Sequence, residues 1–235
     1  MPVKPTTPDI AAVAALVGDP TRARMLTALM DGRARTAKEL AYGARVTPQT
    51  ASSHLAKLLA AGLLAMERQS RHRYFRLASP SVGHAIEALM AVSSAPPRAA
   101  RAAPAGPLEG LRLARTCYDH LAGRLGVSVT DAMVRRRWLT PGERDYGLTA
   151  TGARGLARLG VDVDETRQER RAFAQRCLDW SERRTHLAGS LGAAVARRCL
   201  ELHWVQRVAE ERALRLTAKG RRGLRTWFGI AWPTP

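Results

Sequence analysis

The sequence predicts a mainly α-helical protein with small β-wings, and three stretches of its 235 residues carry that expectation. Residues 36–64, TAKELAYGARVTPQTASSHLAKLLAAGLL, read as a short helix, a tight turn and a longer helix that starts with polar residues. Residues 66–78, MERQSRHRYFRLA, read as two short strands around a basic turn. In the second half two blocks recur in the same order, which predicts two related units of about 60 residues. The expected architecture is an N-terminal winged helix-turn-helix over residues 1–92, a linker at 93–107, and a C-terminal half at 108–235. That half is read as two repeated winged-helix-like units, about 111–161 and 171–230.

Each element follows from local signals. Ile10 to Val17 is apolar and helical. Pro20 suits the first turn of a second helix that is expected to run to Met30, with Asp31 and Gly32 ending it. Thr36 is positioned to cap the third helix, Glu39 completes a capping box, and Gly43 is the expected exit. Thr47 and Pro48 open the fourth helix, which runs to Ala60 before Gly62. Along it Ala51, Leu55, Leu58 and Leu59 recur at helical spacing and face inward. Gln49, Thr50, Ser52, Ser53, His54 and Lys57 face outward and, with Thr47, are the candidate DNA-reading residues. Gln can pair with adenine, Ser and Thr are short donors and acceptors, and His and Lys reach bases or phosphates. Arg68, Arg71, His72 and Arg73 sit near the tip of the basic hairpin, where they can straddle the backbone and enter the minor groove. Tyr74, Phe75 and Leu77 hold its stem. The competing readings are an ordinary amphipathic surface helix and a solvated Arg-rich turn.

Three segments together resemble a known family: LVGDPTRARMLTALMDG from Leu16, VTPQTASSHLAKLLAAGLL from Val46 and RQSRHRYFRLA from Arg68. Roughly Asp9 to Val92 is similar to the winged helix-turn-helix domain of the ArsR family of bacterial repressors. The resemblance implies a homodimer that binds double-stranded operator DNA, with a dimer interface built from helices near 10–17 and 81–92. The family's best-known sensors carry cysteines on the first helix of the helix-turn-helix, or Asp and His ligands on the terminal helix. This sequence matches neither: no cysteine precedes position 117, and the terminal helix offers only His84 and Glu87.

The net charge of +18 favours a polyanionic partner, because phosphate neutralisation with counterion release supplies most nonspecific DNA affinity. The excess is spread along the chain: +6 over residues 1–92, +2 over 93–107 and +10 over 108–235. Nearly all of it is Arg, with Lys only at 4, 38, 57 and 219, as expected of a GC-rich genome. No apolar run approaches a membrane span and the N-terminus lacks a signal-peptide core, so a cytoplasmic protein with no membrane partner is expected. Three widely spaced cysteines do not make a secreted disulfide framework.

Residues 93–107, SSAPPRAARAAPAGP, have a linker's composition. Beyond them CYDHLAGRLG at 117–126 returns as CLDW and HLAGSLG around a six-residue insertion, SERRT plus its neighbour, while LTATGARGL at 148–156 returns as LTAKGRRGL at 216–224. The first unit is read as helix 111–125, helix 128–137, strands within 138–148 and helix 150–159. Each unit presents Cys-x-Asp ahead of a His: Cys117, Asp119 and His120, then Cys177, Asp179 and His186. On a helix Cys117 and His120 share a face. Cys177 and His186, nine apart, lie on opposite faces unless the helix breaks within the insertion, whereas Asp179 and His186 share one. Cys117, His120, Cys177, Asp179 and His186 are therefore the candidate ligands of a zinc-like metal ion. The competing reading makes the cysteines small buried hydrophobes, and thiol redox chemistry or a small molecule at the unit interface stays open. Cys199, four residues before His203, is read as core packing.

The function expected from these features is DNA-binding transcriptional regulation: a homodimeric repressor released from its operator by a signal sensed in the C-terminal half. Two alternatives stand beside it, a nonspecific architectural DNA binder and an enzyme centred on the Cys/His cluster. No Gly-rich phosphate loop, nucleophile elbow or HExxH pattern is present, so the chain is not read as an enzyme.

Overall fold

The computed structural model describes residues 9–70, 72–93, 107–208 and 212–232. Arg71 and residues 94–106 of the expected linker lie outside the described residues. The chain forms two compact units, one ending at Ile86 and the other beginning at Glu87. No helix among the described residues is long and apolar enough to cross a membrane.

The first unit opens with α1 (Ile10–Val17), capped by Asp9, and α2 (Pro20–Ala28), whose N-cap Asp19 accepts from the backbone N–H of Arg22. α2 stops two residues short of the expected Met30. The chain tightens there into a 3-10 turn, Leu29–Asp31, that ends at Gly32 with φ 75°. Asp31 is buried and accepts from Arg35 Nη2 at 2.9 Å, which fixes the start of β1 (Arg35–Thr36). Both halves of the expected capping box form at Thr36 and Glu39 and open α3 (Ala37–Ala44). The exit is Arg45, at φ 57°, and not the expected Gly43. The Arg45 and Val46 amides donate to Tyr42 and Ala41, a closing pattern that places the left-handed residue after Ala44 and leaves Gly43 inside the last turn.

Then follow α4 (Pro48–Ala60), β2 (Leu64–Gln69), β3 (His72–Leu77) and the start of α5 (Pro80–Ser93). The sheet order is β1-β3-β2, antiparallel, with Arg68 opposite Arg73 near the tip of the β2–β3 hairpin. Met25, Leu26, Leu29, Leu40, Ala51, Leu55, Leu58 and Leu77 form the core under this sheet and these helices.

The second unit is a duplicate in element order. After α6 (Pro107–Leu113), the first repeat runs β4 (Arg115–Cys117), β5 (His120–Ala122), α7 (Gly123–Arg135), β6 (Leu139–Pro141), β7 (Tyr146–Leu148) and α8 (Ala150–Leu159). A short α9 (Val163–Gln168) leads to the second: β8 (Arg176–Leu178), β9 (Thr185–Leu187), α10 (Gly189–Glu201), β10 (Val205–Arg207), β11 (Leu214–Leu216) and α11 (Ala218–Phe228). The continuous helix expected over 111–125 is interrupted, with helix only at its two ends, 111–113 in α6 and 123–125 in α7. Residues 115–122 form a hairpin, and helix resumes at Gly123, whose φ of 70° turns the chain out of β5; Gly189 does the same after β9 at φ 76°.

The repeats exchange their edges. Thr116 donates its backbone N–H to Arg212 and Leu214 donates to Ala114, which joins β4 of the first repeat to the β10–β11 hairpin of the second. In the mirror position Arg176 donates to Arg144 and Tyr146 donates to Ala174. α7 packs on β9 and α10 packs on β5. These reciprocal contacts relate the repeats by an approximate twofold.

The recurring Leu-Thr-x-x-Gly-x-x-Gly block has a steric reason. Thr149 and Thr217 cap α8 and α11, and each donates its hydroxyl to a carbonyl of the segment that precedes the β-hairpin. The second glycine of each block lies under a tryptophan. A Cβ at Gly155 would stand 2.5 Å from the Trp138 ring, and one at Gly223 would stand 2.2 Å from Trp204. Both indoles meet Phe228 edge-on, at 5.8 and 6.4 Å between centroids, in one apolar core shared by the repeats.

Candidate metal centre and DNA-reading surface

Antiparallel pairing brings the predicted Cys and His residues together. Cys117 lies directly opposite His120 across β4–β5, and Cys177 lies directly opposite His186 across β8–β9. In the first hairpin the two are joined by the turn Tyr118–Asp119; in the second the six-residue insertion lengthens the loop and leaves the pairing unchanged. The helical argument that set Cys177 and His186 on opposite faces does not apply, because neither residue is on a helix.

The approximate twofold then turns the hairpins toward each other. Cys117 Sγ and Cys177 Sγ are 3.9 Å apart, His120 Nε2 and His186 Nε2 are 3.2 Å apart, and the four ligand atoms all lie within 4.8 Å of one another. Cys117, His120 and His186 are fully buried, and Cys177 is 9% exposed. Contact with Cys177 Sγ and then burial push the Cys117 thiol well above its ordinary pKa. A cation held between the sulfurs would reverse that balance, because coordination favours the thiolate.

Asp179 is not among the four. Its Oδ2 accepts from Arg115 Nη2 at 2.9 Å and from the Gly123 amide at 2.7 Å, and lies 3.5 Å from His186 Nδ1. Its Oδ1 accepts from the Ser181 hydroxyl and from the Ser181 and Glu182 amides. Burial opposes its ionisation, but Arg115 and His186 outweigh burial and hold the carboxyl below the usual carboxylate range. Asp119 takes the matching place beside the other imidazole, with Oδ1 3.2 Å from His120 Nδ1 and Oδ2 bound by Arg171. Each imidazole therefore has a carboxylate at Nδ1 and presents Nε2 to the centre. This second layer orients ligands in metal sites.

Arg115 was not singled out from the sequence. It is fully buried and donates to Glu87 at 3.0 Å, Asp179 and Ser181, while its guanidinium lies 4.6 Å over the Trp180 ring. Glu87, the first residue of the second unit, also pairs with Arg212. In the repeat alignment Arg115 falls opposite Gln175, so the duplication carried no hint of it. Cys199 is buried on α10 at the position that Met133 holds on α7, and burial pushes its thiol up to about 12.

In the first unit α4 buries Ala51, Leu55 and Leu58 and exposes Thr47, Gln49, Thr50, Ser52, Ser53 and Lys57. His54 departs from its expected outward position. It is half-buried, its Nδ1 lies 3.3 Å from Arg22 Nη1 and 3.7 Å from Asp19 Oδ1, and it ties α4 to the start of α2. Arg68, His72 and Arg73 are exposed around the hairpin tip, while Phe75 and Leu77 are buried and Tyr74 half-buried in the stem.

Comparison with known proteins bears on both units. A model described as a helix-turn-helix domain matches residues 17–67. The uncharacterized HTH-type transcriptional regulator YdfF of Bacillus subtilis (strain 168) is 44% identical over 216 residues, 91% of this chain and 94% of that protein. The chain belongs to the family of HTH-type transcriptional regulators. As a member of that family it is a DNA-binding transcriptional regulator, and the span of the match carries the relationship through the second unit as well as the helix-turn-helix.

Among solved structures, the homodimeric winged helix-turn-helix fragment 1–100 of Mb0332 from Mycobacterium bovis, a possible ArsR-family regulator, is 24% identical. It covers 36% of this chain and 77% of that one, with a TM-score of 0.34. The cadmium sensor CMTR of Mycobacterium tuberculosis is 28% identical over 41% of this chain and 100% of its own, with a TM-score of 0.32.

Proposed function

We propose that this regulator is an ArsR-type homodimeric repressor that binds an inverted-repeat operator through α4 and the β2–β3 wing. In this reading Gln49, Thr50, Ser52, Ser53 and Lys57 face base edges and nearby phosphates, and Arg68, His72 and Arg73 hold the flanking backbone. The observation that carries it is the arrangement of α4. Its apolar face is buried while a run of short polar side chains near its N-terminus is exposed, beside a basic hairpin tip. Dimerisation through α1 and α5 is supported by the apolar residues these helices expose, Ile10 and Val13 on the first and Leu89 and Val92 on the second. A second copy would cover them.

The second unit senses the signal, with a zinc-like ion in its Cys/His cluster as cofactor. Release works by population shift: the signal lowers operator affinity only to the extent that it binds one conformation better than the other.

The test is selection of an operator from random duplexes, followed by binding of Gln49→Ala and Arg73→Ala to the selected and scrambled sequences. Gln49→Ala is expected to lower the specific-to-scrambled affinity ratio by about tenfold or more, the value of a lost bidentate base contact. Arg73→Ala is expected to weaken both duplexes alike and to reduce the salt slope by about 1. Equal effects of both changes on both duplexes would remove α4 as the reader. Equal wild-type affinity for selected and scrambled DNA would favour an architectural role.

A further inference from the structure

We infer that Cys117, His120, Cys177 and His186 form a closed tetrahedral site for one thiophilic divalent ion of the zinc class, held as a staple between the two repeats. The inference rests on the reading of this cluster as the cofactor site and deepens it, by naming the ion's class, its coordination and what it joins.

The two edges that join like donors fit. Bond lengths of about 2.3 Å to sulfur and 2.0–2.1 Å to nitrogen give a tetrahedron with an S···S edge of about 3.8 Å and an N···N edge of about 3.3 Å. The structure has 3.9 and 3.2 Å at those edges. The ion would lie on the approximate twofold, with one sulfur and one nitrogen from each repeat.

Donor chemistry and charge select the ion. Two thiolates and two imidazoles are soft to borderline donors, and no carboxylate oxygen belongs to the four ligand atoms, so hard oxygen-seeking cations are disfavoured. Two thiolate charges cancel a divalent ion, whereas a monovalent soft ion would leave a net negative charge in a buried place. The neutral divalent complex is the one this interior tolerates.

Closure assigns the role. Four protein ligands complete the shell, and burial of the cluster gives water no fifth position, the pattern of a site that holds structure. Asp119 hydrogen-bonds His120 Nδ1 and Asp179 lies 3.5 Å from His186 Nδ1, and both rings turn Nε2 inward. Because each repeat supplies only one Cys and one His, occupancy depends on both repeats keeping their relative position, and the ion in turn holds that position.

The experiment titrates full-length, chelator-treated protein with cobalt(II) under reducing conditions, and measures zinc content by elemental analysis after zinc reconstitution. The expected result is one ion per chain, intense visible bands of tetrahedral cobalt and near-ultraviolet thiolate-to-cobalt absorption, both displaced by zinc. Cys117→Ser and Cys177→Ser should each weaken the thiolate band, and the double variant should abolish it, with near-ultraviolet circular dichroism confirming the fold. Asp179→Asn should keep the spectrum and weaken affinity about 10–100-fold, as loss of an orienting partner does. A folded wild-type protein that takes up no ion, gives the weak spectrum of six-coordinate cobalt, or retains its ion in the double cysteine variant overturns the inference. Operator binding by the same samples separates the two readings. A bound tetrahedral ion without effect on operator affinity leaves the staple standing and removes metal sensing, and the converse removes the staple alone.

Discussion

The two hairpins of the second unit do the same job with different loops. β4–β5 joins Cys117 to His120 through two residues, whereas β8–β9 needs eight to join Cys177 to His186, yet both pairs face each other directly across a ladder. The difference teaches that ladder register, and not sequence spacing, delivers these side chains. It also separates two aspartates that the repeat makes look equivalent. Asp119 remains partly exposed beside Arg171, while the longer loop carries Asp179 into full burial, where it bonds Arg115 and Gly123 of the other repeat. Each carboxylate lies beside an imidazole and reaches an arginine of the other repeat, Arg171 for Asp119 and Arg115 for Asp179, and only the second pair is fully buried.

The sharpest way to break this comparison is to remove each carboxylate in turn. In chelator, so that no ion contributes, Asp179→Ala is expected to lower unfolding free energy by about 3–5 kcal/mol, because Arg115 loses a buried partner. Asp119→Ala, at a partly exposed pair, should cost about 1 kcal/mol or less. Urea denaturation measures both, and equal costs would show that burial does not set these two pairs apart. Next in size are Gly155→Ala and Gly223→Ala. Each drives a Cβ into an indole, so each should cost about 1–3 kcal/mol, and matching values would support matching packing in the two repeats. A change at one site alone would show that one tryptophan has room to move.

The smallest expected signal concerns the cysteine without a counterpart. A thiol with its pKa raised to about 12 is almost wholly protonated at pH 8, and only the thiolate is the nucleophile. Native Cys199 should therefore resist iodoacetamide at pH 8 under conditions where the urea-unfolded chain is labelled, read by peptide mass spectrometry. Rapid native labelling would contradict its place in the core.

Much of the first unit was legible because its signals are local. Capping residues, Pro48 and the period of Ala51, Leu55 and Leu58 specify α4 without knowledge of what packs on it. Gly43 misled because glycine is the usual left-handed residue, while here the closing hydrogen bonds select Arg45. His54 was misplaced because its partners, Arg22 and Asp19, come from a different helix.

In the second unit the repeat was visible, but its first element was misread. A Cys and a His three apart fit one helix face as well as they fit the two ends of a two-residue hairpin turn. The discriminating clue was the insertion itself. Six extra residues would rotate a helix by about 240°, enough to destroy a shared face, whereas a hairpin absorbs them in its loop. Arg115 was invisible because its meaning lies wholly in tertiary contacts with Asp179, Glu87 and Trp180.

The reciprocal edges between the repeats have a consequence for how such a chain could arise. A single repeat possesses half a coordination shell and an unpaired strand on each side of the exchange, so alone it is an incomplete molecule. Two identical copies related by a true twofold would complete one shell and satisfy both edges. Joining them head to tail through α9 would turn that assembly into one polypeptide, after which each half was free to diverge, as Met133 and Cys199, or Gln175 and Arg115, have done.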